Sequence, residues 1–355
     1  MKKIIIVTGV TGQDGSHMVD YLLESTDHQI YGAVRRLSVR NHENVPCTDN
    51  PRFSLIDLDL TDSHSINRRI KEIKPDYFIN FGAQSFVGVS WDTPRQTFET
   101  NALAVLDILE SIREHVPNCR FYNAGSSEEF GDVIYSPQDE NHPLRPRSPY
   151  GASKAAARHI VKVYRESYNL FAVQGWLFNH EGTRRGEEFV TRKITKGIAR
   201  IVKSIQRDLA FDPIKLGNLD ARRDWSDAED FIQSVWLMLN QDSPKDYVIG
   251  SGDTHSIRDF IDECASVANL EGVWTGEGFD EKFILSNYLA EEHNASSYVV
   301  VGINPDFYRP AEVSLLQGDC SLAKKELGWS CKKDFKGLVK KMYDHDYSLT
   351  SVTTI

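Results

Sequence analysis

Ile4-Ile-Ile-Val-Thr8-Gly9-Val10-Thr11-Gly12-Gln13-Asp14-Gly15 starts as an apolar run and ends in a turn with glycine at every third position. The run at 4–7 is short and rich in β-branched side chains, which reads as a buried strand. Met18, Val19, Leu22 and Leu23 then recur at i, i+1, i+4 and i+5, the stripe of a helix. Between the two, Gly9, Gly12 and Gly15 let the backbone approach a pyrophosphate, and the helix N-terminus offers free N–H groups and a favourable dipole. Thr11, Gln13 and Asp14 belong to the same turn. Any tight strand-to-helix connection can use glycines; their place at the head of a βαβ succession is what points to dinucleotide binding.

Further along, apolar runs at 29–34, 53–56, 77–81, 120–123 and 171–177 alternate with helical patterns such as 102–112. This rhythm predicts an α/β fold built on a doubly wound parallel Rossmann sheet. Ser148 and Pro149 have the form of an N-cap and first helical residue, opening a helix to about residue 168. In open α/β sheets ligands sit beyond the carboxyl ends of the strands, and residues 9–15, 82–84, 126–128 and 178–180 all fall at such ends. After about residue 182 the pattern loosens and Arg184, Arg185, Arg192, Lys193, Lys196 and Arg200 cluster. An apolar helix returns at 231–239. Residues 271–301 read as the least regular stretch, 324–328 and 335–343 as short terminal helices, and 350–355 as a frayed tail. The expected division is a Rossmann domain over 1–180, with a returning segment around 215–250, and a smaller mixed α/β C-terminal substrate domain over 181–345.

Composition narrows the classes. The 355 residues carry a formal net charge of −10, which argues against a nucleic-acid binder, so an anionic ligand must be met by a local basic cluster. The five cysteines show no CxxC or zinc-ligand spacing and suit a reducing compartment, so a cytoplasmic location is expected. No apolar run approaches the roughly 20 residues of a membrane span.

The chemistry concentrates around Ser148-Pro-Tyr150-Gly-Ala-Ser-Lys154 and Ser126-Ser-Glu128. Tyr150 and Lys154 are four apart and share a helix face. An ammonium beside a phenol favours the phenolate and would lower its pKa from about 10, producing a base for alcohol oxidation. Ser126, at the end of the fifth strand, would hydrogen-bond the reacting oxygen. Plain alcohol oxidation has no use for a second base, so Glu128 points to an elimination that follows it. Glu129 is the rival carboxylate. Arg35, after the second strand, suits a 2′-phosphate and hence NADP rather than NAD.

The GxxGxxG spacing resembles the short-chain dehydrogenase/reductase superfamily, particularly its extended members, in which a pair like Asp59-Leu60 frames the adenine. The chain further resembles the GDP-mannose 4,6-dehydratase family over nearly its whole length. The similar segments are residues 8–15, Ala83-Gln84-Ser85, Ser126-Ser-Glu128, Arg147-Ser-Pro-Tyr150, Leu177-Phe-Asn179-His180-Glu181, residues 184–193, Leu216-Gly-Asn-Leu-Asp220 with Arg223-Asp-Trp225, and Arg309-Pro-Ala-Glu312-Val313. That resemblance implies Ser126 in place of a catalytic threonine, Glu128 as base, and Tyr150 with Lys154 as the oxidising pair. It implies NADP contacts from His180 and Arg185 besides Ala83, Gln84 and Ser85. It places Ser85, Glu128, Asn179, Lys193, Arg223, Arg309 and Glu312 at or near the GDP-sugar. The implied reaction oxidises C4, eliminates water across C5/C6 and returns hydride to C6. A homodimer or homotetramer is implied, with residues near 35–41 reaching a neighbour. Serine at 126, Gly151-Ala-Ser153 and Phe86 depart from the family pattern. A GDP-heptose dehydratase, a 4-reductase or a 4-epimerase on the same scaffold, and a catalytically silent nucleotide-binding scaffold, are the competing readings; Glu128 speaks against the reductase and the epimerase.

Overall fold

The structure is a computed structural model describing residues 2–36, 43–45, 47–286, 298–308, 311 and 313–352. Its first half alternates strand and helix: β1 (Ile4–Thr8), α1 (Gln13–Ser25), β2 (Gln29–Val34), β3 (Phe53–Asp57), α2 (Ser63–Ile73), β4 (Tyr77–Asn80), α3 (Pro94–Phe98), α4 (Ala104–His115), β5 (Arg120–Ala124), α5 (Pro149–Tyr168) and β6 (Ala172–Leu177). Next come β7 (Asn179–Glu181), α6 (Val190–Ile205), β8 (Ile214–Leu216), β9 (Arg222–Arg223), β10 (Trp225–Asp227), α7 (Ala228–Leu239), β11 (Tyr247–Ile249), β12 (His255–Ser256) and α8 (Ile257–Val267). The last elements are β13 (Gly272–Thr275), β14 (Lys282–Leu285), β15 (Val299–Ile303), β16 (Leu315–Leu316), α9 (Ser321–Leu327) and α10 (Phe335–Leu349).

Seven parallel strands form the main sheet in the order β11-β6-β5-β4-β1-β2-β3. The chain winds outward from β1 to β3, then restarts at β4 on the other side of β1. That reversal opens a crevice at the carboxyl ends of β1 and β4, where ligands of doubly wound sheets bind. Strand alternation sends Ile5 and Val7 to the core beneath α1 and α7, while Ile6 faces the core under α2, α4 and α5. Two buried faces explain why β1 reads as a continuous apolar run.

A second core, with Ile194, Ile198, Phe260, Val301 and Leu338, lies between α6, α8, α10 and the four-stranded sheet β13-β14-β15-β8. The stretch expected to be least regular thus holds β13, β14 and the start of β15. Trp274 pairs with Phe283 across the antiparallel β13–β14 ladder, a cross-strand contact that the polar connection between the strands conceals in the sequence. The helix expected at 102–112 sits in a longer helical run that begins at Pro94 and passes through a π-helical segment, Glu99–Leu103. Ser148 does cap α5, its hydroxyl accepting from the Gly151 N–H at 3.0 Å, with Pro149 as the first helical residue. No helix among the described residues is long and apolar enough to cross a membrane.

Candidate active site

Backbone contact explains the glycine turn. Gly9 has φ +71°, and a Cβ on Gly15 would stand 2.3 Å from the Gly9 carbonyl oxygen. Helix α1 therefore begins pressed against the end of β1, and the N–H groups of its first turn have no partner within the helix. Asp14 joins this turn to β7: it accepts from His180 Nε2 at 2.9 Å, while Gln13 Nε2 donates to the His180 carbonyl oxygen at 3.0 Å. Burial opposes both charges. The mutual attraction prevails, holding the Asp14 carboxyl well below its usual range and pushing the His180 imidazole up.

Beside this turn lies a cavity of about 540 Å³. Its floor carries Ser126, Glu128, Tyr150 and Lys154, brought together from the end of β5 and the first turns of α5. Ser126 caps a 3₁₀ turn, Ser127–Glu129, its hydroxyl accepting from the Glu128 N–H at 3.2 Å and hydrogen-bonding Tyr150. The two glutamates of this turn have opposite fates. Glu128 is half-buried and lines the cavity, whereas Glu129 is wholly buried behind it. The Glu129 carboxylate accepts from the Ser126 N–H, Gln174 Nε2 and Trp176 Nε1 at 2.9–3.0 Å.

The Tyr150–Lys154 pair differs from its expected form. Lys154 Nζ donates to the Ala124 carbonyl oxygen at 2.8 Å and stands 5.9 Å from the Tyr150 ring centre. Burial pushes the Tyr150 phenol up, the Ser126 hydrogen bond opposes that, and the Glu128 and Glu129 carboxylates add to the rise. Burial also lowers Lys154 to about 8, against the pull of Glu129 and Asp14. The shared helix face is real, but in these contacts desolvation outweighs the ammonium, and the phenol is not depressed.

Ala83, Ser85, Asn179, His180, Arg185, Lys193 and Arg223 also border the cavity. Gln84 stands behind it: its N–H donates to Asn101 Oδ1 at 2.9 Å, and Asn101 Nδ2 reaches Ser153 on α5 at 3.0 Å, tying this loop to α5. Arg223 is held from the next residue, because the buried Asp224 carboxylate accepts backbone N–H groups of Ser251, Gly252 and Gly318. Arg35 is exposed at the end of β2, away from the cavity wall. Asp59 is occupied by the Thr61 N–H and hydroxyl at 2.9 and 2.8 Å, and Leu60 packs over Gly82. Thr11 is exposed in the glycine turn, where its carbonyl accepts from Asn44 at 3.1 Å. Arg309, Glu312 and residues 37–41 lie outside the described residues.

The basic cluster divides. Arg185 and Lys193 border the cavity, stacking on Phe189 and Phe307 at 3.5 and 4.4 Å. Arg192 instead pairs with buried Asp346 at 2.7 Å, and Arg184 with Asp20 at 2.7 Å. Neither of those two borders the cavity, whereas Arg185 does so while pairing with Glu181 at 3.0 Å. Phe189 and Phe307 escaped the sequence reading because an aromatic residue carries no motif; Lys193 four residues after Phe189 was the available signal.

A seven-stranded parallel sheet, a glycine turn after β1 and a Ser–Tyr–Lys set beside it define an extended short-chain dehydrogenase/reductase. The fold is shared with the dTDP-glucose 4,6-dehydratase of Streptomyces venezuelae, 20% identical with a TM-score of 0.78 over 98% of this chain and 97% of that one. Sequence goes further. The GDP-mannose 4,6 dehydratase family profile matches residues 6–342, and the chain belongs to that family. It is 42% identical to the GDP-mannose 4,6-dehydratase of Vibrio cholerae, across 97% of this chain and 94% of that protein. Against the human GDP-mannose 4,6 dehydratase it is 38% identical, across 98% and 92%.

Proposed function

We propose that the protein converts GDP-mannose to GDP-4-keto-6-deoxymannose by C4 oxidation, loss of water across C5/C6 and reduction at C6. The observation that carries this reading is a carboxylate, Glu128, lining the same cavity as Ser126 and Tyr150 while its neighbour Glu129 is turned into the core. The glycine turn fits a dinucleotide, because a Cβ at Gly15 would collide with backbone and the first-turn N–H groups of α1 remain available to a pyrophosphate. Residues 9–15, Ala83, His180, Arg185 and Lys154 would hold NADP, with Arg35 toward the 2′-phosphate. NADP, when bound, supplies the acceptor for the C4 hydride and the donor for C6.

Ser126 donates to the oxygen on C4 and Tyr150 takes the hydroxyl proton. The buried phenol opposes its own ionisation, so the rate should rise with pH as Tyr150 deprotonates. Glu128 then removes the proton from C5, acidified by the neighbouring ketone, and Tyr150 returns a proton to the departing C6 hydroxyl; Glu128 gives its proton back to C5 as C6 is reduced. Arg185, Lys193 and Arg223 face the diphosphate and give a protein of net charge −10 its local anion site. Arg309 and Glu312 complete the GDP-sugar contacts in this reading.

We place the enzyme in the cytoplasm as a homodimer or homotetramer; Leu103, Val163 and Tyr168, each about half exposed on and beside α5, offer a face for a second copy. The test is incubation with NADP and GDP-mannose, GDP-heptose or dTDP-glucose, followed by product identification. A 4-keto-6-deoxy product from GDP-mannose is expected, and its absence at every NADP loading would refute the assignment.

A further inference from the structure

Four neighbouring strands of the main sheet carry a buried polar side chain: Thr8 and Asn80 at the carboxyl ends of β1 and β4, Asn123 one residue short of the end of β5, and Gln174 partway along β6. They form one hydrogen-bonded row. The Gly82 N–H donates to Thr8 Oγ1 (2.9 Å), Thr8 Oγ1 to Asn80 Oδ1 (2.6 Å), Asn80 Nδ2 to Asn123 Oδ1 (3.0 Å), Asn123 Nδ2 to Gln174 Oε1 (2.8 Å), and Gln174 Nε2 to Glu129 Oε1 (3.0 Å). Every donor points the same way. The row starts where the chain leaves β4 beside the glycine turn and ends on the carboxylate that also accepts the Ser126 N–H.

The end group fixes the direction. An ionised carboxylate only accepts, so Gln174 must present its NH₂ to Glu129 and its oxygen to Asn123. Asn123 must then present NH₂ to Gln174, and the constraint passes to Asn80 and Thr8. Aligned amides in a dry interior polarise one another, so the row holds more rigidly than its separate bonds would. A glutamine at 129 carries donors of its own and releases that constraint.

We propose that Glu129 is the positioning residue of the site: it anchors the Ser126 N–H, and through Ser126 the hydroxyl that meets Tyr150, and it orients a buried amide row that ties this anchor to the dinucleotide turn. The enzymatic part of the claim rests on the dehydratase reading; the placement of the carboxylate does not.

Burial and the hydrogen bonds act in opposite directions on this carboxylate. Burial pushes Glu129 up to about 7, restrained by the Ser126 N–H, the Trp176 indole, and the Lys154 and Arg158 cations of α5. Its charge in turn opposes ionisation of Tyr150 on α5 and of Tyr122 on β5, and favours the charged form of Lys154. Glu128 on the same turn also opposes Tyr150. Removing the Glu129 charge should therefore let Tyr150 ionise at lower pH.

Two measurements on the full chain test this. In nitrogen-labelled protein the Trp176 indole N–H, 2.9 Å from Glu129, should titrate at about 7 and cease to do so in Glu129→Gln. A flat Trp176 resonance between roughly pH 5 and 9 overturns the placement of the charge. In NADP-loaded enzyme, Glu129→Gln should lower kcat about tenfold, leave the GDP-mannose KM within about twofold, and move the acid limb of the pH–rate profile to lower pH. Trp176→Phe, which removes one donor and keeps a ring, should move that limb the same way by less; it serves where Glu129→Gln fails to fold. Profiles superimposable on wild type, with kcat unchanged, overturn the positioning role. An inactive wild type whose Trp176 still titrates would sink the dehydratase assignment and leave the buried anchor standing.

Discussion

Gly15→Ala probes the contact on which the dinucleotide site is built. The added Cβ would meet Gly9 O at 2.3 Å, Gly9 C at 2.5 Å and Val10 N at 2.8 Å, all backbone atoms with no rotamer to yield. Ordinary contact starts near 3.4 Å, so the start of α1 must withdraw from the end of β1 by 3.4 − 2.3 = 1.1 Å. Overpacking of this kind costs about 1–3 kcal/mol. With an unfolding entropy of roughly 2.1 cal/mol/K per residue, a chain this long should lose about 1–4 °C in Tm. Binding should suffer more. If the first-turn N–H groups bind the pyrophosphate as proposed, a withdrawal of that size would take them beyond hydrogen-bonding range, and losing two charge-assisted bonds of about 1.5–3 kcal/mol each would weaken NADP at least about 100-fold. The assay is NADP titration by calorimetry beside a melting curve. Gly182→Ala is the control, because its Cβ would meet Gln13 Oε1 only at 3.4 Å, an ordinary contact. Gly15→Ala that binds NADP within about threefold of wild type, with Tm unchanged, would refute the claim that this close approach builds the cradle.

Glu128→Gln should keep the fold and lower product formation about 10²–10⁴-fold, the usual worth of a general base, while reduced nicotinamide still appears on mixing with GDP-mannose; wild-type turnover would remove Glu128 from the role. Asp246→Asn should cost about 3 kcal/mol in urea denaturation, because the buried Asp246 carboxylate holds Arg165 at 2.7 and 2.9 Å and Arg158 at 2.8 Å, and two partly buried cations lose their counter-charge; a loss under about 1 kcal/mol would contradict it. Stability should also fall as pH rises through neutrality. Glu129 moves from 4.5 to about 7 on folding, so the folded state holds this proton more tightly. Its contribution is complete below about pH 4.5 and lost as pH rises through about 7, worth roughly 3 kcal/mol at 1.36 kcal/mol per pH unit. Urea midpoints at acid and alkaline pH should show this slope in wild type and not in Glu129→Gln; equal slopes would place the proton elsewhere.

The central strands of the main sheet are readable because both their faces are buried, so β1, β4 and β6 appear as mainly apolar runs whose ends can be seen. Those ends carry the glycine turn, Ala83 to Ser85, Ser126 to Glu128, and Asn179 with His180, which is why most of the cavity was legible before any coordinates. Glu128, preferred over its rival Glu129, is the one that borders the cavity; the two are adjacent in one 3₁₀ turn, and Glu129 is drawn inward by Gln174 and Trp176, each at least 45 residues later in the chain. The Tyr150 phenol is raised rather than lowered because spacing reports only a shared helix face, while desolvation depends on everything packed around it.

Arg192 and Lys193 make the point most sharply. Both sit in the basic cluster, yet one is sealed against Asp346, 154 residues away, and the other borders the cavity. Consecutive residues on a helix point about 100° apart, so they cannot share a target once α6 is known to start at Val190. Phe189 and Lys193 are four apart at that start and face the cavity together, whereas Arg192 faces α10 with Thr195, whose hydroxyl reaches the same Asp346 at 2.6 Å. The cluster was read by composition, which adds charges without asking where they point. Reading it by helical period separates the cavity-facing cation from the buried one, because the phase that puts Ile194, Ile198 and Ile201 in the core turns Lys193 toward the cavity.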